Sequence, residues 1–364
     1  IEVWVHISCR EIAKIPMENK IIDNVEMYPD YIGVKSNSKI KWMISTKCSN
    51  LTPLQEWSPY GLIKKIFWRL YLLVLPFQKL LANIGVKKGY KLAINDDVAI
   101  NGMSIVCIYV NLVTLRPKLV IFLQDNSGAY IVNKFPLSEG AQRSLENEKC
   151  LMSAHSPDDI VTLDNYPNRF FYRYVKGTPF ELIDGQEYIE YLASLQDGQL
   201  RSLREFNISL LSRLSEIDID KKYINEIDML KVQWETDDDI LVPGAVTHGD
   251  FAPWNIKAQE GDLVPVDWEE GVLNGVVAWD LLMFEVSVQL RIKKKLKGSF
   301  LRDSNSSINA YLKLVQLDNV SFGAICKAFM EIKALEAQIS GDGELAGYLV
   351  LQLKNLEYKK CLER

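Results

Sequence analysis

Two carboxylates and one amide in the last third of the chain have the types and the spacing for chemistry on a phosphate group. Asp250 and Asn255 lie five positions apart, and Asp267 follows directly after the apolar run 264–266. An apolar run before each carboxylate predicts a short strand that opens into a loop. A carboxylate can orient an attacking hydroxyl, while a second carboxylate and an amide oxygen can hold Mg²⁺ against phosphates. The spacing therefore indicates phosphoryl transfer.

The composition is that of an ordinary globular protein. The chain has 364 residues, of which 48% are hydrophobic and 24% charged, and its formal net charge is -5. A dedicated nucleic-acid-binding protein normally has a basic balance, so no nucleic-acid partner is expected. The 6 cysteines are scattered and form no C-x-x-C pair, which favours reduced thiols in a cytoplasmic protein. The sequence gives no indication of the oligomeric state.

The segment 1–97 differs from the rest in its charge. No acidic residue occurs between Glu56 and Asp96, whereas 7 lysine and arginine residues do. A helix is predicted over 61–83, interrupted at Pro76, and its apolar run is too short and too broken by Arg69 to span a bilayer. Two interpretations of 61–91 follow: a basic amphipathic helix on an anionic membrane surface, or a helix packed on the core with its lysines in solvent.

The rest of the chain changes from strands to helices. Three strands are predicted over 104–111, 118–124 and 129–135, then a helix over 139–153 and a linking strand over 169–175. Further helices are predicted over 200–217, 276–292, 309–317, 322–339 and 345–362. This order predicts an α+β chain with two lobes and a cleft between them. The expected divisions are an N-terminal extension of uncertain fold (1–97), a small β-rich lobe with its linker (98–176) and a helical lobe (177–364).

The motif resembles that of the aminoglycoside phosphotransferase and choline kinase family. The resemblance is carried by His248-Gly249-Asp250 with Asn255, then by Asp267 in a V-D-W-E sequence and by Trp279-Asp280-Leu281. Protein kinases usually have arginine where Gly249 stands, which disfavours a protein kinase. The fuller string H-G-D-F-A-P-W-N, at 248–255, together with V-D-W-E is most similar to uncharacterised members of the family, which tend to be encoded among bacterial polysaccharide genes. The resemblance covers residue 104 to the C-terminus and implies a bilobal protein-kinase-like fold.

The resemblance also implies roles in the catalytic loop, 248–255. Asp250 would be the catalytic carboxylate, which positions the acceptor hydroxyl, and Asn255 and Asp267 would be the ligands of Mg²⁺. His248 is expected to brace the loop. An acceptor pocket is expected between this loop and the C-terminal helices, where Asp342 and Glu344 either line the pocket or form a solvated turn.

In the β-rich lobe, the resemblance implies a site for ATP. Lys134, at the end of the third strand, would hold the α- and β-phosphates, and a helix carboxylate would hold the lysine. Glu148 is preferred for this role over Glu146. Adenine would hydrogen-bond to the backbone of the linking strand, at Arg173, Tyr174 and Val175.

One departure from the family pattern lies in the loop expected to cover the phosphates. The stretch 113–118 contains no glycine, although Arg116 or Lys118 could serve as point charges. The leading hypothesis is an ATP- and Mg²⁺-dependent phosphotransferase that acts on a hydroxyl of a small molecule, such as a sugar or glycan precursor. The alternative is a pseudokinase, a nucleotide-binding scaffold in a membrane-associated polysaccharide biosynthesis complex.

Overall fold

The chain forms two compact units, which divide between Lys176 and Gly177. The computed structural model describes residues 22–25, 31–36, 39–48, 52–57, 62–84, 89–92, 103–111, 115–155, 160–161, 170–179, 187–217, 219–236, 239–259, 262–295 and 299–362. Gly61, Lys87, Lys88 and residues 113–114, which belong to the sequence predictions, lie outside these ranges. Strands dominate the first unit and helices the second, which confirms the predicted α+β class.

The first unit is an eight-stranded antiparallel sheet with the order β1-β4-β2-β3-β5-β6-β7-β8. In β6, buried Leu119, Ile121 and Leu123 alternate with less buried residues, as in a strand with one face on the core. The strands from before residue 97 join the same sheet, because β3 pairs with β5. The elements of the first unit are β1 (Ile22–Val25), β2 (Tyr31–Ser36), β3 (Lys39–Ser45), α1 (Thr52–Glu56), α2 (Leu62–Asn83), β4 (Gly89–Leu92), β5 (Met103–Asn111), β6 (Lys118–Asp125), β7 (Tyr130–Pro136), α3 (Glu139–His155) and β8 (Phe170–Arg173).

Helix α2 packs on this sheet by one face. Trp68, Leu75 and Ala82 are buried in a cluster with Trp42 and Ile44 of β3. The Trp68 indole N–H donates a hydrogen bond to the Leu54 carbonyl at 3.0 Å, which ties α2 to α1. No described helix is long and apolar enough to cross a membrane.

The predicted interruption at Pro76 is wrong, because α2 continues through it to Asn83. Proline removes one backbone hydrogen bond, and its ring crowds the preceding turn. Pro76 is exposed, while Leu75 and Lys79 beside it are buried on the packed face. Packing on both sides of the proline therefore holds the helix together.

The second unit contains helices and two three-stranded sheets, β10-β11-β14 and β13-β12-β9. Its core is one large apolar cluster, to which Trp279, Phe284 and Phe329 contribute. The strands are β9 (Thr178–Pro179), β10 (Gln196–Ser202), β11 (Leu241–Thr247), β12 (Ile256–Gln259), β13 (Asp262–Pro265) and β14 (Val272–Val276). The helices are α4 (Glu187–Ser194), α5 (Leu203–Ser215), α6 (Lys221–Thr236), α7 (Trp279–Ser287), α8 (Phe300–Asp303), α9 (Asn305–Val315), α10 (Asn319–Ile339) and α11 (Gly343–Leu362).

Two predicted helix starts need correction. Residues 200–202 belong to β10, and α5 begins at Leu203 after the cap Ser202, whose hydroxyl accepts the Glu205 N–H at 3.0 Å. Val276 ends β14, and α7 begins at Trp279. Leu200 lies at helical spacing from Leu203, and the apolar run 276–279 continues from the strand into the helix, so the pattern alone does not separate the two elements. The predicted helices near 309–317, 322–339 and 345–362 correspond to α9, α10 and α11.

Candidate active site

The loop after β11 is held by a buried carboxylate from the next helix. Asp280, in the first turn of α7, accepts the His248 N–H at 2.6 Å and the Gly249 N–H at 2.9 Å. Burial raises the pKa of Asp280 to about 6, while the two backbone hydrogen bonds and the Lys333 ammonium lower it. A carboxylate suits this place because both of its oxygens can accept a backbone N–H.

Gly249 allows the loop to pass close to a neighbouring turn. Its φ is +80°, in the left-handed region, and an added Cβ would lie 2.4 Å from the Glu270 carbonyl oxygen. Only glycine fits both requirements without strain. Arg213, at the end of α5, holds the same turn from outside by donating to the Gly271 carbonyl at 3.1 Å.

His248 braces the loop, as the sequence predicts. Its side chain is buried, with Nε2 3.0 Å from the Val266 carbonyl oxygen. Its Nδ1 accepts the Asp250 N–H at 3.3 Å. A neutral imidazole protonated at Nε2 satisfies both hydrogen bonds, so the ring links the strand before Asp250 to the residue before Asp267.

A short hairpin brings the two predicted metal ligands next to each other. Strands β12 and β13 are antiparallel, with Ile256 opposite Pro265. The pairing extends one residue further, because the Val266 N–H donates to the Asn255 carbonyl at 2.8 Å. Asp267 follows in a left-handed conformation with φ 72° and ψ 59°. A left-handed non-glycine residue is uncommon, and such backbone occurs preferentially at functional sites.

Asp250 is joined to Asn255 and has a carboxyl group that retains its proton unusually well. The Asn255 Nδ2 donates to Asp250 Oδ2 at 2.8 Å, which leaves the Asn255 Oδ1 as the amide atom suited to a cation. Burial raises the pKa of Asp250 to about 7. The Lys333 ammonium lowers this pKa, and the carboxylates of Asp267 and Glu336 raise it.

Helix α10 thus contributes charge of both signs to the surroundings of Asp250. Lys333 and Glu336 form an ion pair with each other, with 2.8 Å between Nζ and Oε2. Asp342 and Glu344 have a different role, since both carboxylates pair with Arg291. Through Arg291, Asp342 in the turn after α10 and Glu344 in the first turn of α11 are linked to the segment after α7.

In the first unit, Lys134 and Glu148 form the predicted ion pair. The Lys134 Nζ lies 2.7 Å and 2.8 Å from the two carboxylate oxygens of Glu148, and both side chains are buried. Glu146, the alternative partner, is exposed and accepts a hydrogen bond from Gln142. A buried ion pair with two good hydrogen bonds fixes the position of the lysine. The proposed contact of Lys134 with phosphate stays a prediction.

The backbone groups at the end of β8 and in the two residues after it point alternately towards β7 and away from it. The Tyr174 N–H donates to the Tyr130 carbonyl of β7 at 3.3 Å, so this amide is used by the sheet. In an antiparallel pair, Arg173 and Val175 at the alternate positions direct their backbone groups to the opposite edge. The Tyr174 hydroxyl donates to Glu56 at 2.7 Å. Adenine binding through Arg173 and Val175 is therefore compatible with this edge, whereas the Tyr174 N–H is engaged.

The part of the glycine-free loop that the structure describes carries two cations. Arg116 is half-buried and Lys118, the first residue of β6, is buried. The Pro117 carbonyl accepts the Leu137 N–H at 2.9 Å, which ties this end of the loop to the start of α3.

Sequence reasoning missed the function of Asp280 and of the Lys333–Glu336 pair. Asp280 belongs to the W-D-L string that supported the resemblance, but nothing in its spacing indicates that it binds loop residues 32 and 31 positions earlier. A carboxylate in the first turn of a helix that follows an acidic motif is the one signal that could have suggested it. Lys333 and Glu336 lie within an ordinary amphipathic helix, where charged residues usually mark a solvated face.

Comparisons with known proteins give matches among solved structures alone. No protein-family model and no curated protein matches the sequence. The chain is similar to a type I macrolide 2'-phosphotransferase, with 14% identity, a TM-score of 0.43 and coverage of 71% of this chain and 94% of that chain. It is similar to a choline kinase from Cryptosporidium parvum Iowa II, with 12% identity, a TM-score of 0.43 and coverage of 74% and 90%. The GDP complex of aminoglycoside 2'-phosphotransferase-IIIa has 16% identity, a TM-score of 0.40 and coverage of 73% and 97%.

The Lys134–Glu148 ion pair predicts that Glu148 contributes much more to the free energy of unfolding than Glu146 does. Glu148→Ala removes the carboxylate that accepts two hydrogen bonds from the buried Lys134 ammonium, and it lowers the free energy of unfolding by about 3–5 kcal/mol. Glu146→Ala, on the exposed face of the same helix, changes it by about 0.5 kcal/mol or less. Equilibrium urea unfolding measures both. Similar losses for the two variants would contradict the role given to Glu148.

Substitution of Asp280 should lower the free energy of unfolding by an amount that depends on how many hydrogen-bond acceptors the new side chain retains. Asp280→Ala leaves two buried N–H groups unpaired and costs about 1–3 kcal/mol for each of them, whereas Asp280→Asn retains one carbonyl oxygen and costs less. Asp318→Ala is a matched control, because Asp318 also accepts two backbone N–H groups but at an exposed helix N-terminus. In urea unfolding, Asp280→Ala should therefore lose more free energy of unfolding than Asp318→Ala, and more than Asp280→Asn.

The raised pKa of Asp250 predicts that its replacement stabilises the protein at alkaline pH. The folded-state pKa is about 7, above the 3.8 of an ordinary aspartate, so folding favours the protonated form and this contribution is lost as the pH rises through 7. Asp250→Asn does not ionise. Without divalent cations, its advantage in free energy of unfolding over the wild type should therefore grow by about 1–3 kcal/mol between pH 5 and pH 8. A constant difference across this range would contradict the raised pKa of Asp250.

Proposed function

We propose that the chain is an ATP- and Mg²⁺-dependent phosphotransferase that phosphorylates a hydroxyl of a small molecule. The observation that carries the proposal is the arrangement of the second unit, where Asp250 is hydrogen-bonded to Asn255 and the β12–β13 hairpin aligns Asn255 with the residue before Asp267. Asp250 would position the acceptor hydroxyl and accept its proton, a task for which a pKa of about 7 is suited.

The donor set fits a hard divalent cation. Asn255 would contribute its amide oxygen and Asp267 its carboxylate, and Mg²⁺ prefers such oxygen ligands. Bound Mg²⁺ neutralises charge on the phosphates of the donor. In the first unit, the Lys134 ammonium, fixed by Glu148, would contact the phosphates of ATP, and the edge at Arg173 and Val175 would receive adenine.

A sugar or another glycan precursor is the acceptor class that we favour. Its support is the likeness of the H-G-D-F-A-P-W-N and V-D-W-E strings to proteins encoded among bacterial polysaccharide genes. The mixed charge of Lys333 and Glu336 beside Asp250 suits a polar acceptor with hydroxyl groups better than an apolar one. A cytoplasmic location belongs to the same proposal, and its support is the scattered cysteines, which form no C-x-x-C pair.

A pseudokinase is the second candidate, and the loop 113–118 favours it. This stretch contains a proline and no glycine, so its backbone is less able to approach phosphates. A pseudokinase would bind nucleotide as part of a scaffold and transfer no phosphate. Nucleotide binding without turnover would identify it.

The decisive experiment combines nucleotide binding with turnover. ATP and Mg²⁺ should raise the melting temperature, and a panel of sugars and amino alcohols should include an acceptor that increases ATP consumption. Asp250→Asn should lower the rate by about 10²–10⁴-fold and leave nucleotide binding intact. Asp267→Asn should abolish the Mg²⁺-dependent stabilisation by ATP, while Asp262→Asn, an exposed control on the same hairpin, should retain it. Turnover that survives Asp250→Asn would overturn the proposal.

A further inference from the structure

Helix α2 has two apolar faces, and packing accounts for one of them. Trp68, Leu75 and Ala82 face the sheet of the first unit. The opposite face carries eight large apolar side chains that are all exposed, among them Phe67 at 67% and Leu73 at 76%. The exposed set is Ile66, Phe67, Leu70, Leu73, Val74, Phe77, Leu80 and Ile84.

The exposed residues form one continuous stripe. Ile66, Leu70, Leu73, Phe77, Leu80 and Ile84 follow each other at spacings of three or four, which places them along one side of the helix. At 1.5 Å per residue, the stripe is roughly 27 Å long. Elsewhere in the described parts of the chain, large exposed apolar residues such as Met229 and Val320 are scattered. Single exposed apolar residues are normal on a protein surface, but a contiguous stripe marks an interaction site.

The charge around the stripe indicates which kind of partner can bind it. Lys64 and Arg69 are exposed near the start of α2, and no acidic residue occurs anywhere between Glu56 and Asp96. A second copy of the chain would bring an equally basic segment to this face, with no carboxylate in it to neutralise the first. An apolar stripe bordered by basic residues instead matches the surface of a bilayer that contains anionic lipids.

We propose that α2 docks the protein on an anionic phospholipid membrane, with the helix axis in the plane of the surface. The stripe enters the boundary between headgroups and acyl chains, while Lys64 and Arg69 contact the anionic headgroups. The face with Trp68 and Leu75 stays on the sheet of the first unit, so docking requires no unfolding of α2. The same helix thus serves as core element and as anchor.

Vesicle sedimentation with the full chain tests this proposal. The wild type should bind vesicles of phosphatidylcholine with phosphatidylserine, and binding should weaken as the salt concentration rises. The double variant Leu73→Glu/Phe77→Glu should bind at least ten-fold more weakly. Met229→Glu, an equally exposed apolar-to-acidic change in the second unit, should bind like the wild type. Lys64→Gln/Arg69→Gln should weaken binding to anionic vesicles by about five-fold for each charge removed.

Several results would overturn docking. One is a wild type that stays in the supernatant at low salt, and another is a stripe variant that binds as well as Met229→Glu. A third is a stable wild-type dimer that the stripe variant converts to a monomer, since the stripe would then bind a second copy. Circular dichroism and the melting temperature check that each variant is folded. The assay contains no nucleotide or acceptor, so its result is independent of phosphotransferase activity.

Discussion

The Asp280 carboxylate is the interaction on which the geometry of the candidate site depends. It accepts the N–H groups of two successive residues just beyond the end of β11, and so fixes the peptide planes that lead into Asp250. Gly249 can take up this conformation because it has no Cβ to meet the Glu270 carbonyl. His248 then ties the loop to Val266. Asp250 and Asp267 lie 17 residues apart in the sequence. These three contacts fix the position of the backbone at Asp250 relative to the backbone at Asp267.

The same arrangement lowers the stability of the folded chain. Burial raises the pKa of both Asp250 and Asp280, so the folded chain favours their protonated forms. The proposed chemistry requires the ionised Asp250. Carboxylates retained at such a cost are typical of functional sites, because a core without a function would use apolar residues or fully paired charges there. The buried pair of Lys134 and Glu148 in the first unit follows the opposite rule, since each charge has its partner within 3 Å.

The sequence was informative wherever a feature depends on local spacing. The strands β5, β6 and β7 and the helix α3 follow from alternation and helical periodicity, which act over a few residues. The choice of Glu148 over Glu146 came instead from the resemblance to a known family. Strands β12 and β13 were not predicted as a pair, because four-residue strands have almost no periodicity. The role of Asp280 depends on a contact between segments about 30 residues apart, and no local pattern encodes it. Pro76 misled the prediction because tertiary packing on both sides outweighs one lost hydrogen bond.

Helix α2 shows why one amphipathic pattern can support two interpretations at once. The sequence indicated packing on the core or binding to a membrane as alternatives, because a helix with one apolar face can bury that face against only one of the two. This helix has apolar residues on opposite sides, so burying Trp68 and Leu75 leaves Leu73 and Phe77 in solvent. Its cations are divided in the same way: Lys79 is buried and donates to the Cys48 carbonyl, whereas Lys64 and Arg69 are exposed. Packing therefore does not argue against membrane docking, because the sheet holds the helix in place and presents its second apolar face outward.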